Sequence, residues 1–240
     1  MEPGRPRTRR TVHGRGSGGE APLIAWAAVD PATGDVEQED GSHVFAAAST
    51  IKLFVYSAYR RSALDPTKVE AIARVGGSGV SEYLRTGLAL DDHAFLMLAV
   101  SDNASTNVLL KRLGFEKVAE ELERLGLHDT RVRRLMMSRG PENETTPLDL
   151  AHGLARLLEE PYADDLLEAL RVAADAESYL PLLLPEVTVA AKSGELDTVR
   201  HEVALLEQDG RRLVTAACSS PPARPDELAA VAAHRWARAI

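Results

Sequence analysis

At 240 residues, 45% hydrophobic and 27% charged, the chain can bury one large core or two small ones, which excludes a disordered tail or a disulfide miniprotein. A net charge of −8 argues against a nucleic-acid or anionic-membrane partner, because neutralising phosphates takes a basic face; the expected partner is a small molecule. The single cysteine, Cys218, permits no internal disulfide and sits in the apolar run LVTAAC, where it reads as an inert buried thiol.

The first twenty residues carry five arginines, two glutamates and seven glycines and prolines, and read as a flexible tail. The pair Arg9-Arg10 suggests twin-arginine export, but the segment LIAWAAVD that follows reads better as a first strand than as a signal's apolar region, so the expected location is cytoplasmic. No run of eighteen apolar residues occurs, so no membrane span is expected.

Leu23 to Val29 and a second segment from Val36 flank Asp30-Pro-Ala-Thr-Gly-Asp35, whose turn residues predict a hairpin. From Ser49 to about Leu184 the periodicity becomes helical, through STIKLFVYSAYRR, LDDHAFLMLAV, ASTNVLLKRLG, FEKVAEELERLG, TPLDLAHGLARLLEE and ADDLLEALRVAA. Gly114 and Gly126 stop two of these segments. After Pro185 come strand-like runs at 187–192, 199–207 and 212–218, the last two joined by a hairpin at Gln208-Asp-Gly210, and then a helix from Asp226 to the end. Strands at both ends with helices between them imply an α/β (α+β) fold, an antiparallel sheet assembled from both termini with an inserted helical lobe at roughly 53–185. Residues 21–240 then form a single two-lobed domain.

Three short motifs carry chemistry. In Ser49-Thr-Ile-Lys52 the i, i+3 spacing puts a hydroxyl and an amine on one face of a helix that is apolar nearly all round, and burial lowers a lysine pKa toward that of a working base. Ser49 also lies at a helix N-terminus, where backbone N–H groups stabilise an oxyanion. Taken alone, the motif reads more readily as a capping serine followed by a lysine that reaches solvent. Ser101-Asp102-Asn103 lies between two helices, where capping alone explains its serine or aspartate. Lys192-Ser193-Gly194 ends a strand and offers an ammonium, a hydroxyl and a backbone that a ligand can approach.

With five lysines and three asparagines in the chain, composition makes the co-occurrence of S-x-x-K, S-D-N and K-[ST]-G a chance of roughly one in ten thousand. In this order and context the chain resembles the class A β-lactamases and related penicillin-recognising serine enzymes, from about Leu23 to its C-terminus. The stretches SDNASTNVLLKRLG and Thr145-Thr-Pro-Leu-Asp-Leu150 are similar to further elements of that family.

The resemblance implies a serine acyl-enzyme hydrolase cleaving an amide, peptide or β-lactam bond, without a cofactor or metal. Ser49 would attack the carbonyl, Lys52 would accept its proton and Ser101 would relay a proton to the leaving nitrogen. Asn103 would bind the substrate's acylamide and orient Lys52, while Lys192 and Ser193 would hold a substrate carboxylate, beside the close-packing Gly194. Backbone N–H groups of Ser49 and Glu195 would form the oxyanion hole. Arg200 reads either as a second carboxylate anchor or as a strand-edge surface arginine.

Two departures from the family pattern stand out. The position of the Ω-loop glutamate that activates the deacylating water falls on Met136, in a shortened segment that offers only Glu142 and Glu144 before Thr145, and either of these can instead serve the next helix's N-terminus. Glu195 replaces the small residue usual after K-[ST]-G, where a carboxylate repels acidic ligands. Weak deacylation follows from the first departure, with an acyltransferase using the same acyl-enzyme, or a non-enzymatic penicillin sensor, as alternatives. The seven histidines show no metal-ligand spacing, and Gly76-Gly-Ser-Gly79 reads as an unconstrained loop without the lysine of a phosphate-binding loop.

Overall fold

The computed structural model describes residues 21–238, so the reading of the first twenty residues as a tail lies outside the described residues. The elements run, in order, β1 (Leu23–Val29), β2 (Val36–Glu39), β3 (Phe45–Ala46), a 3₁₀ turn (Ala48–Ile51), α1 (Lys52–Arg60), β4 (Val69–Glu70), a second 3₁₀ turn (Ser81–Tyr83) and β5 (Leu88–Ala89). Then follow α2 (Leu90–Ala99), α3 (Asn103–Leu113), α4 (Phe115–Arg124), β6 (Glu144–Thr145), α5 (Pro147–Leu157), α6 (Ala163–Glu177) and α7 (Leu180–Leu183). The chain closes with β7 (Thr188–Leu196), β8 (Val199–Gln208), β9 (Arg211–Ser220) and α8 (Pro225–Arg238).

Five strands form an antiparallel sheet in the order β2-β1-β9-β8-β7, so the first strand lies against the last, from Leu23 opposite Ser220 to Val29 opposite Val214. This is the expected sheet assembled from both ends of the chain. Alternation along the strands sends Ala25, Ala27, Val29, Val203, Leu205, Val214 and Ala216 into a core shared with α1, α2, α5 and α6. The intervening residues Trp26, Ala28, Ala204, Leu206 and Ala217 pack instead against Leu228, Ala229, Ala232 and Trp236 of α8. Both faces of the sheet are therefore covered.

All of α1 except its last residue, Arg60, is buried, as its largely apolar surface requires, and α2, α3, α4 and α5 pack against it. Thr146 caps α5 by accepting the Asp149 N–H at 3.1 Å, with Pro147 at the first helical position, where a missing N–H costs nothing.

Some expectations are corrected. Lys192-Ser193-Gly194 does not end its strand: no breaker follows Gly194, and β7 continues to Leu196. Ser49 lies inside a 3₁₀ turn rather than capping α1, which starts at Lys52 without a side-chain cap. The helical middle is interrupted by the two-residue strands β4, β5 and β6, too short for any periodicity to announce. Among the described residues no helix is long and apolar enough to cross a membrane.

Candidate active site

The three motifs converge on a cleft of about 330 Å³ between the edge strand β7 and the loops of the helical segment, lined by Ser49, Ser101, Ser193, Gly194, Glu195 and Arg200 among others. Lys52 and Lys192 lie fully buried beneath its floor, with Asn103 4% exposed beside them. All nine residues singled out from the sequence thus gather in one place.

Lys52 Nζ stands 3.0 Å from Ser49 Oγ, 2.6 Å from the Ser101 carbonyl oxygen, 3.1 Å from Ser101 Oγ and 2.9 Å from Asn103 Oδ1. Two of these neighbours, the carbonyl and the amide oxygen, can only accept. In its neutral form the amine has two N–H bonds and one lone pair; those oxygens then take both hydrogens, and the lone pair is left toward the hydroxyls of Ser49 and Ser101. Burial holds the Lys52 amine well below the usual lysine value and the charge of Lys192 adds to this, while Asp102 and Glu177 oppose it. Lys192 is pushed down to about 8 by its own burial, partly offset by Glu177.

Backbone conformation around these groups is unusual. Ala48, just before Ser49, has φ 49° and Ser101 has φ 54°, both in the left-handed region that costs a non-glycine residue about 1 kcal/mol or more. Such conformations persist where surrounding contacts hold a side chain in place. Gly194 serves closeness instead: a Cβ there would lie 3.0 Å from Thr50 Cγ2 and 3.1 Å from the Ser49 nitrogen, so a side chain would press β7 and the Ser49 turn apart by a few tenths of an ångström.

Asp102 does more than cap. Oδ1 accepts from the Ser105 N–H at the start of α3 and from the Ser81 hydroxyl, while Oδ2 accepts from the N–H groups of Val80 and Ser81, each at 2.7 Å. The Asn103 N–H donates to the Ser78 carbonyl at 3.0 Å and Asn103 Nδ2 to the Gly76 carbonyl at 3.2 Å. The glycine-rich segment 76–79, expected to be unconstrained, is therefore clamped to Ser101-Asp102-Asn103 and brings Ser78 into the cleft wall. Gly79 is required by this clamp, since at φ 116° a Cβ would lie 2.3 Å from Asp102 Oδ2.

The segment 130–145 holds Met136 where a glutamate was sought. Its backbone is gripped from both sides by Asn107 of α3, whose Oδ1 accepts from the Met136 N–H at 2.7 Å and whose Nδ2 donates to its carbonyl at 3.1 Å. Glu142 pairs with Arg134 at 2.5 Å, and Glu144 with Arg133 at 2.6 Å while lying in β6 opposite Ala46. Neither lines the cleft, and neither serves the α5 N-terminus, which Thr146 caps. Glu195 pairs with Arg200 at 2.5 Å, and Arg200 also donates to the Ala223 carbonyl at 2.5 Å, so this arginine is neither free at the strand edge nor unoccupied as an anchor.

Three ionisable lining residues escaped the sequence reading. Glu177, the last residue of α6, accepts from the Ser193 hydroxyl. Glu202, opposite Ser193 in the β7–β8 register, is pushed up to about 7 by burial, against a hydrogen bond with Ser178. His201 stays below its usual value through burial, with Nε2 placed 2.8 Å from the Ala46 carbonyl. No motif names these residues; only the strand register and the end of α6 place them here. Among the described residues no group of His, Cys, Asp and Glu is arranged to hold a metal ion, and Cys218 is buried with its thiol pushed up by desolvation.

A family model described as the beta-lactamase enzyme family matches residues 16–240. The chain belongs to that family. The beta-lactamase of Sphaerobacter thermophilus DSM 20745 is 26% identical, with 83% of each chain covered and a TM-score of 0.76. PBP-A is 23% identical over 91% of this chain and 88% of its own, with a TM-score of 0.77. The L158E mutant of PBP-A, solved as an acyl-enzyme complex with penicillin G, is 24% identical over 88% of each chain, with a TM-score of 0.76. No curated protein matches significantly. The fold of this beta-lactamase family member is thus the β-lactamase/transpeptidase-like fold, and family membership makes it a hydrolase of β-lactam or amide bonds.

Proposed function

We propose that the protein is a serine acyl-enzyme hydrolase in which Ser49 is the nucleophile and Lys52 its base, and that it deacylates slowly. The observation that carries this reading is the Lys52 cage, a fully buried amine 3.0 Å from Ser49 Oγ whose two N–H bonds are taken by acceptor-only oxygens. In acylation, Ser49 Oγ bonds to the substrate's carbonyl carbon as its proton passes to Lys52 Nζ. The carbonyl C–N bond then breaks, and the proton returns through Ser101 Oγ, 3.1 Å from Nζ, to the leaving nitrogen. Asn103 holds Lys52 in line, and the backbone N–H groups of Ser49 and Glu195 face the developing oxyanion.

Slow deacylation rests on Met136. The segment 130–145 contributes no carboxylate to the cleft, so the acyl-enzyme lacks general-base help from that side, a contribution of about 10² to 10⁴ in rate. The acyl-enzyme of the PBP-A L158E mutant with penicillin G supports a covalent intermediate on this fold. The test is an intact-mass time course with benzylpenicillin. We expect a stoichiometric burst of adduct followed by slow turnover, no adduct in Ser49→Ala, and faster adduct loss in Met136→Glu. Undiminished labelling of Ser49→Ala would overturn the nucleophile, and rapid turnover without a burst would overturn slow deacylation.

A further inference from the structure

The Ser193 hydroxyl has one proton to give, and it gives that proton to Glu177 Oε2. The same oxygen is 4.0 Å from Lys192 Nζ, whose other partner is the neighbouring Ser193 carbonyl at 2.9 Å. Arg200 is likewise committed, with Nε and Nη2 on Glu195 and Nη1 on the Ala223 carbonyl. Every cationic or hydroxyl donor that the resemblance would assign to a ligand's carboxylate is thus answered by an acceptor of the protein itself. The two cations, Lys192 and Arg200, face the two carboxylates Glu177 and Glu195, and the half-buried Glu202 adds a third carboxyl to the same wall. An incoming carboxylate would add like charge to a balanced site and would have to displace Glu177 to reach Ser193.

We propose that Glu177 is a specificity-determining residue: its carboxylate occupies the Ser193–Lys192 anchor, so the enzyme selects acyl donors that are neutral or cationic at that position over donors that carry a carboxylate there. This rests on the reading of Ser49 as the nucleophile. Glu177 lies at the C-terminal end of α6, and its side chain is 36% exposed, so the anchor is filled by a side chain reaching in from the helical side. Replacing it by an uncharged residue removes the carboxylate from Ser193 and Lys192, and Glu177→Ala also removes the acceptor.

The test uses the full chain and two probes that differ only in the relevant group, benzylpenicillin and its methyl ester. Acylation rates at Ser49 are read by intact mass in wild type, Glu177→Gln and Glu177→Ala. In wild type the ester should acylate faster than the acid. In both variants the acid-to-ester rate ratio should rise at least tenfold, a change that a general weakening of the fold, acting on both probes alike, does not produce. An unchanged ratio in variants that are still acylated overturns the role of Glu177 and leaves the nucleophile assignment standing. Absence of a Ser49 adduct with both probes in all three proteins overturns the serine acyl-enzyme reading itself, and the proposal with it.

Discussion

Lys52 and Lys192 are the same residue type, both wholly buried, and they lie on the same side of one cleft, yet they are surrounded differently. Lys52 is ringed by neutral oxygens, with no carboxylate in hydrogen-bond contact. Lys192 has a carboxylate 4.0 Å away. Burial lowers both amines, but Lys192, at about 8, stays largely protonated at neutral pH, and its charge lowers Lys52 further. The same side chain thus lies in two electrostatic settings, one facing oxygen dipoles and the other facing an ion.

The comparison breaks most completely at Lys52. Lys52→Arg places a guanidinium that cannot give up its proton inside the cage, and acylation by benzylpenicillin, followed by intact mass, should fall by about 10² to 10⁴. A variant retaining more than about a tenth of the rate, a barrier change below about 1.4 kcal/mol, would show that another group is the base.

Removing the cation instead should act through the base. In Lys192→Gln the charge that depresses Lys52 is gone, so the Lys52 pKa rises and the acid limb of the acylation–pH profile moves to higher pH. Because only the neutral amine accepts a proton, acylation near pH 7 should drop by roughly tenfold and recover in alkaline buffer. A profile that falls uniformly without moving would mean that Lys192 acts on the ligand alone.

The smallest effect sharpens the comparison with a half-buried carboxyl that has no counter-charge. Glu202 is held at about 7, above the unfolded carboxylate value, so the folded state keeps its proton longer and stability falls as pH rises from about 4 to 7. Glu202→Gln removes that loss. It should raise the melting temperature at pH 8 by roughly 2 to 8 °C, for about 1 to 2 kcal/mol, and change it little at pH 5. An equal shift at both values would show that the carboxyl is not titrating with folding.

What could be read in advance was whatever rests on short-range spacing. Ser49 and Lys52 meet because residues three apart on a helical turn share a face, and the strand alternation of β1, β8 and β9 sorts their residues to two cores. What could not be read depends on where distant segments stop. Glu177 reaches Ser193 only because α6 ends at that residue and packs along β7, and Asp102 gathers residues 80 and 81 only once α3 is in place. Asp102 read as an ordinary helix cap, and nothing in the sequence singled out Glu177. Met136 was located by its surroundings, but the grip of Asn107 on its backbone involves 29 residues of separation and a side chain that could equally have faced solvent.

The pairing of the first strand with the last also governs when activity can begin during synthesis. Ser49 and Lys52 emerge early, but the partner of β1 is β9, and the strand that closes on the Ser49 turn through Gly194 comes only after the whole helical segment. Contacts so far apart in sequence form late and slowly. A partly made polypeptide therefore carries the serine and the lysine without the sheet edge that completes their pocket, and the ribosome-bound chain should remain chemically silent until its C-terminal strands have been released.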